Sequence, residues 1–132
     1  MRLKRAVSVA AGAAGLVIGG MTVPASAADY GCPTNYFCFY YNSNGANARW
    51  IVESSRADLA GYVFGGLAST PGAGQPVKNN SASAQNSVEL SSARVYYNSN
   101  FSGASDYFST GTGKNLVNTY NENASVRIYL DF

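Results

Sequence analysis

The chain has 132 residues, with nine basic and seven acidic side chains, no histidine, and seventeen aromatic residues of which ten are tyrosine. A chain of this size holds one domain rather than two. Without histidine there is no Ser-His-Asp or Cys-His arrangement, and the Lys and Arg residues are scattered rather than clustered as a nucleic-acid footprint requires.

In chain order, the first residues read as a secretory signal peptide. Arg2, Lys4 and Arg5 make a basic head, Ala6 to Gly20 is an apolar run without charge, and Ala25-Ser26-Ala27 supplies a small-x-small cleavage pattern. Gly12, Gly15, Gly19 and Gly20 interrupt the apolar run, which is short for the roughly 20 residues of a membrane span. A cut after Ala27, or one residue later, leaves residues 28–132 as a single domain. Six basic side chains then face seven acidic ones, a net charge of −1. The expected product is a secreted, extracellular monomer that binds no nucleic acid and, once the leader is removed, no membrane.

Cys32 and Cys38 both survive this cut. In an exported chain a lone pair reads as one disulfide, and closing so short a loop stabilises by about 2 kcal/mol. The C-x5-C spacing and the missing histidine argue against a redox or zinc pair.

Tyr36 to Tyr41 predicts an aromatic strand that stops at the turn residues Asn42-Ser43-Asn44-Gly45, and Arg49 to Val52 predicts the returning strand. Ser54-Ser55 are placed to cap one helical turn over Arg56–Ala60, which Gly61 stops, and Tyr62–Phe64 reads as a short strand. Gly65 to Gln75 carries four glycines and a proline, so it is a loop, and its glycine content predicts flexibility. Asn79 to Ser83 is polar turn material. Ser87–Leu90 and Arg94–Tyr97 alternate as half-buried strands do, and Asp106–Phe108 returns. Gly111-Thr112-Gly113 turns the chain, Asn115–Val117 pairs briefly, and a last strand sets Val126, Ile128 and Leu130 on one face. The class is all-β, a sandwich or Greek-key arrangement of about eight short strands.

The pentapeptide YYNSN occurs at Tyr40–Asn44 and again at Tyr96–Asn100, each copy followed by a glycine, Gly45 and Gly103. Two equivalent hairpins in two halves of one domain follow from this. Downstream, Asn79-Asn80-Ser81-Ala82-Ser83 lines up with Asn121-Glu122-Asn123-Ala124-Ser125, while a neighbouring register matches Asn86-Ser87-Val88 to Ala124-Ser125-Val126. The sequence leaves both registers open. The first half is the longer, mostly through the Gly65–Gln75 loop.

Tyr97-x3-Phe101-x-Gly103 with Ser125 resembles the Greek-key signature of the βγ-crystallins. There the glycine takes a backbone conformation closed to residues with a Cβ, an aromatic packs over the hairpin, and a serine hydroxyl ties the hairpin down. Gly45 with Ser83 repeats the pattern without the aromatic. The opening Cys32-Pro33-x3-Phe37-Cys38-Phe39-Tyr40, with these halves and the leader, is similar to the secreted actinobacterial peptidase-inhibitor family typified by the Streptomyces metalloproteinase inhibitor. The resemblance covers essentially residues 28–132 and implies a βγ-crystallin-like double Greek-key sandwich. It also implies a non-enzymatic inhibitor, of metalloproteinases, whose partner is an extracellular protease. In the typical inhibitor a second disulfide in the later half braces the reactive loop. This chain has no second cysteine pair, so no reactive-site residue is carried over, and the Gly65–Gln75 loop stands as the alternative.

Resemblance implies a second reading, a calcium-binding βγ-crystallin module. That motif has two Asn/Asp, two variable residues, then Ser/Thr and Ser, and its oxygens suit a hard cation. Asn79, Ser83, Asn121 and Ser125 are the candidate ligands, although both copies lack the final serine and the second has Glu122 in its second position. No other cofactor is expected. A third reading is a cell-surface or carbohydrate-binding protein without inhibitory activity, using exposed tyrosines. Asp29, Glu53, Asp58, Glu89, Asp106, Glu122 and Asp131 show no paired spacing of the kind that glycoside hydrolysis needs.

Overall fold

The aromatic run that opens the domain alternates, so every second ring falls on one side of a strand. In the computed structural model, which describes residues 28–131, this run is β1 (Phe37–Asn42), with Phe37 and Phe39 fully buried. The expected leader, up to Ala27, lies outside the described residues. Six further strands follow: β2 (Ala46–Val52), β3 (Ser83–Asn86), β4 (Ser91–Asn98), β5 (Ser102–Ser109), β6 (Thr112–Asn115) and β7 (Ser125–Leu130). They form two antiparallel sheets, ordered β2-β1-β3-β6 and β5-β4-β7.

The halves exchange segments. Strand β6 of the second half pairs with β3 of the first, and Arg56 of the first half bridges Val126 on β7. This reciprocal exchange closes a double Greek key, and Arg56 occupies the eighth strand position as a single bridge. Between the sheets, Phe37 lies 5.1 Å from Phe39 and 5.4 Å from Phe108, the latter edge-on. Val52, Leu59, Phe64, Val77, Val95, Leu116 and Val126 complete the core. Each such buried side chain stabilises by about 1.5–3 kcal/mol relative to exposure.

Several elements differ from expectation for local physical reasons. Ser87–Leu90 is a turn, because Asn86 Oδ1 accepts the Val88 amide at 3.0 Å, the Ser91 hydroxyl donates to Val88 O at 2.6 Å, and Leu90 has φ 51°. Thr112 and Gly113 belong to a strand rather than a turn, since β3 offers them an edge. No helical turn forms over Arg56–Ala60. There Ser55 Oγ accepts the Ile128 amide at 2.8 Å, and Arg56 exchanges backbone hydrogen bonds with Val126 at 2.9 and 3.0 Å. Tyr62–Phe64 forms one bridge, Val63 to Pro76, and no longer strand.

The structure also decides the repeat register. Tyr40 pairs with Ser83 and Tyr96 with Ser125, which matches the NNSAS and NENAS segments and excludes the neighbouring register. Asn79 N donates to Asn123 O at 2.8 Å and Asn121 N to Ser81 O at 2.9 Å, a reciprocal pair across the internal two-fold relation.

Candidate functional site

Two serines hold the two hairpins in the same way. Ser83 Oγ accepts the Gly45 amide at 2.9 Å and donates to Asn42 O at 2.7 Å. Ser125 Oγ accepts the Phe101 amide at 3.1 Å and donates to Asn98 O at 2.7 Å. Gly45 therefore corresponds to Phe101, not to Gly103. The aromatic missing from the first hairpin is supplied by the N-terminal arm: Tyr30 packs edge-on to Tyr40 at 5.6 Å, as Phe101 does to Tyr96 at 6.1 Å. The Tyr30 ring lies where a side chain on Gly45 would be, and Gly45 has φ 66°.

Of the four candidate calcium ligands, Ser83 and Ser125 are fully buried and engaged with hairpin backbone, whereas Asn79 and Asn121 take left-handed turns with φ 57° and 53°. No group of three or more His, Cys, Asp or Glu side chains gathers as a metal site among the described residues. The side chain that ties the second turn to the first is Asn123. Its Oδ1 accepts the Asn80 and Ser81 amides at 3.1 Å each, and its Nδ2 donates to Val77 O and Ser81 Oγ at 3.0 Å each. The repeated NxxAS pattern was the available signal for it, since Ser81 and Asn123 share one alignment column.

Cys32 and Cys38 form the expected disulfide, with Cα atoms 5.9 Å apart. It clips the arm over the outer face of the first sheet. Gln85 Oε1 accepts the Tyr30 and Cys32 amides at 2.7 and 3.3 Å, and Gln85 Nε2 donates to Asp29 at 3.1 Å. The Gly31 amide, then Gln85, holds the Asp29 carboxyl below its usual range, and burial raises the Tyr30 and Tyr40 phenols above theirs.

Beyond this arm, the first sheet ends at β2, whose free edge is occupied by the glycine-rich loop. Gly65 N donates to Arg49 O at 2.9 Å, and Ala48 N donates to Pro71 O at 3.1 Å. The loop is also closed on itself. Phe64 N donates to Gln75 O at 2.9 Å, Gly74 N to Phe64 O at 2.8 Å, Thr70 N to Leu67 O at 2.8 Å and Ala73 N to Thr70 O at 3.0 Å. Phe64 anchors it in the core against Tyr41, and Gly72, at φ 91°, leaves room for the Tyr41 ring. The glycines here make close packing and tight turns rather than the flexibility expected from composition. Leu67 of this loop is 77 % exposed, and Val63 and Ile51, which line the adjoining cleft, are 53 % and 40 % exposed. Between loop and arm lies an open cleft of about 590 Å³ lined by Tyr30, Tyr40, Arg49, Ile51, Gly66 and Thr70. Sequence reasoning pointed to this loop but missed Leu67, because exposure of one leucine leaves no mark in the pattern.

Residues 25–108 match the model of peptidase inhibitor family I36. The chain belongs to that family. I36 membership agrees with the resemblance read from the Cys32–Tyr40 opening, and it points to a non-enzymatic inhibitor rather than to an enzyme. No curated protein matches the chain. Among solved structures, a βγ-crystallin domain from Clostridium beijerinckii is 20% identical, with a TM-score of 0.53 over 71% of this chain and 97% of that one. The N-terminal domain of protein S is 18% identical, with a TM-score of 0.52 over 72% and 96%. A structure of the eye-lens βγ-crystallin domain fold is 11% identical, with a TM-score of 0.52 over 85% and 94%. At these identities the likeness establishes the fold alone, and it is the double Greek key expected from the repeat.

Proposed function

We propose that this I36 protein is a secreted inhibitor of extracellular metalloproteinases, and that it presents the Gly65–Thr70 segment to the protease cleft. The observation that carries the reading is the exposed Leu67 on a loop whose two feet are hydrogen-bonded to the β2 edge. An inhibitor gains affinity when its loop is ordered before binding, because less conformational entropy is lost on association. The backbone bonds at Arg49, Ala48, Phe64 and Gln75 supply that order here without a second disulfide. Leu67 is the apolar anchor, and the cleft beside Arg49 leaves space for the rim of the protease. The reading includes export by the expected leader, with cleavage after Ala27 or one residue later, and action as a monomer.

The test is a panel of proteases, including a thermolysin-like metalloproteinase, incubated with the purified secreted protein. Inhibition of the metalloproteinase that weakens about 30-fold or more in Leu67→Asp is expected, the loss typical of a binding hot spot. The melting temperature should stay unchanged. No inhibition of any protease at micromolar concentration would remove the inhibitor reading. Inhibition indifferent to Leu67→Asp would move the reactive site elsewhere.

A further inference from the structure

The internal repeat makes one surface conspicuous. On the outer face of the first sheet, Cys38, Tyr40 and Gln85 lie beneath the N-terminal arm. At the equivalent positions of the second sheet stand Arg94, Tyr96 and Arg127; Phe101 packs edge-on to the half-buried Tyr96, but both arginines are exposed, with no arm over them like that on the first sheet. Strand register places Tyr107, Arg94 and Arg127 in one row across β5, β4 and β7. Two like charges directly opposite each other in a sheet destabilise it unless an anion joins them. Among the described residues no carboxylate does so, the single ion pair being Lys78 with Asp58 at 2.8 Å on a different part of the surface.

The arginines are held in place by rings rather than by acids. Arg94 lies 5.0 Å over Tyr107, and Arg127 lies 5.1 Å over Phe101 and 5.4 Å over Tyr129. Arg94 also donates to Ser105 Oγ at 3.1 Å. A guanidinium stacked on a ring keeps its N–H edges for an oxyanion, and that planar fork matches a carboxylate. Next to this pair, the Tyr96 and Tyr129 hydroxyls meet at 2.8 Å and offer neutral hydrogen bonding.

We propose that this face binds an acidic polysaccharide, with a uronic-acid carboxylate between Arg94 and Arg127 and sugar hydroxyls at Tyr96 and Tyr129. Charge complementarity selects the anion, and the neutral tyrosine pair selects a hydroxyl-rich chain. Single-stranded nucleic acid fits less well, because it needs open ring faces on which bases stack, and here arginines cover the rings. The site is separate from the Gly65–Thr70 loop and does not depend on it.

Binding of the purified protein to polygalacturonate is compared with neutral dextran and with an oligothymidylate of matched charge, at low and high salt. Retention on polygalacturonate alone is expected, weakened by salt and reduced at least about tenfold in Arg94→Gln/Arg127→Gln. The Arg94→Lys/Arg127→Lys variant keeps the charge but loses the fork, so it should bind about as weakly as the glutamine variant. The glutamine variant should unfold no earlier than the parent, since it removes a like-charge contact, and the lysine variant, which keeps both charges at the paired positions, should unfold close to the parent. Failure to bind polygalacturonate, equal binding of oligothymidylate, or full binding by the glutamine variant would each overturn the proposal.

Discussion

The two halves of this I36 protein share a backbone device and differ in almost everything that covers it. Ser83 and Ser125 make the same pair of hydrogen bonds to their hairpins. Around them the halves diverge in chemistry. Trp50 and Asp106 occupy equivalent positions, opposite Phe39 and Val95. Trp50 stacks on Phe39 at 6.1 Å and meets Tyr62 at 4.7 Å, joining the long first-half connection through an apolar contact. Asp106, 5 % exposed, instead collects the amides of Val117, Asn118 and Thr119 and the Thr119 hydroxyl, the last at 2.6 Å. The shorter second-half connection buries Leu116 but leaves Val117 and Tyr120 exposed, and a carboxylate holds it by its backbone. The hairpin tie is thus the requirement of the fold, and the means of securing each connection is free to vary.

The largest expected effect breaks this division directly. Asp106→Asn replaces an acceptor by a donor facing buried amides and should cost about 3 kcal/mol in urea unfolding, whereas Trp50→Phe, a smaller ring in a partly open site, should cost about 1 kcal/mol. Equal costs would mean that the polar and apolar fastenings are not distinct.

Next, Ser83→Ala and Ser125→Ala should each lose about 2 kcal/mol, since each removes two hydrogen bonds at a fully buried hydroxyl. A markedly smaller loss at Ser83 would show that the Tyr30 arm, not the serine, secures the first hairpin.

The smallest effect is at alkaline pH. Burial holds the Tyr30 and Tyr40 phenols above their ordinary range, so the folded protein keeps protons that the unfolded chain releases. Their contribution is complete below the ordinary phenol range and is lost as pH rises through the raised values. Cys32→Ser/Cys38→Ser loosens the arm and should bring both phenols back down, which phenolate absorbance would follow. Tyr96, raised by its own burial in the second half, should not move with them. A parallel fall at Tyr96 would mean that the arm acts on the whole domain.

Much of the fold was legible in advance. Alternation in Phe37–Tyr41 and Val126–Leu130, the paired YYNSN turns, and the Gly45 and Gly103 punctuation carry period and position within a few residues of one another. The candidate site was legible only as a stretch. Gly65–Gln75 read as loose, because composition reports the freedom of the chain and not its partners. Arg49 O and Ala48 N, which fix it, are more than fifteen residues away in sequence.

By itself, then, the sequence determined the class, the two halves and the cysteine bridge, since each depends on side-chain period or on neighbours close along the chain. Only the tertiary structure decided which strands were exchanged, that Tyr30 fills the space above Gly45, and that the face bearing Arg94 and Arg127 is open while its counterpart is covered. Those outcomes depend on sheet register, which pairs residues far apart in the chain. A shift of one residue there exchanges the buried and exposed faces of a whole strand.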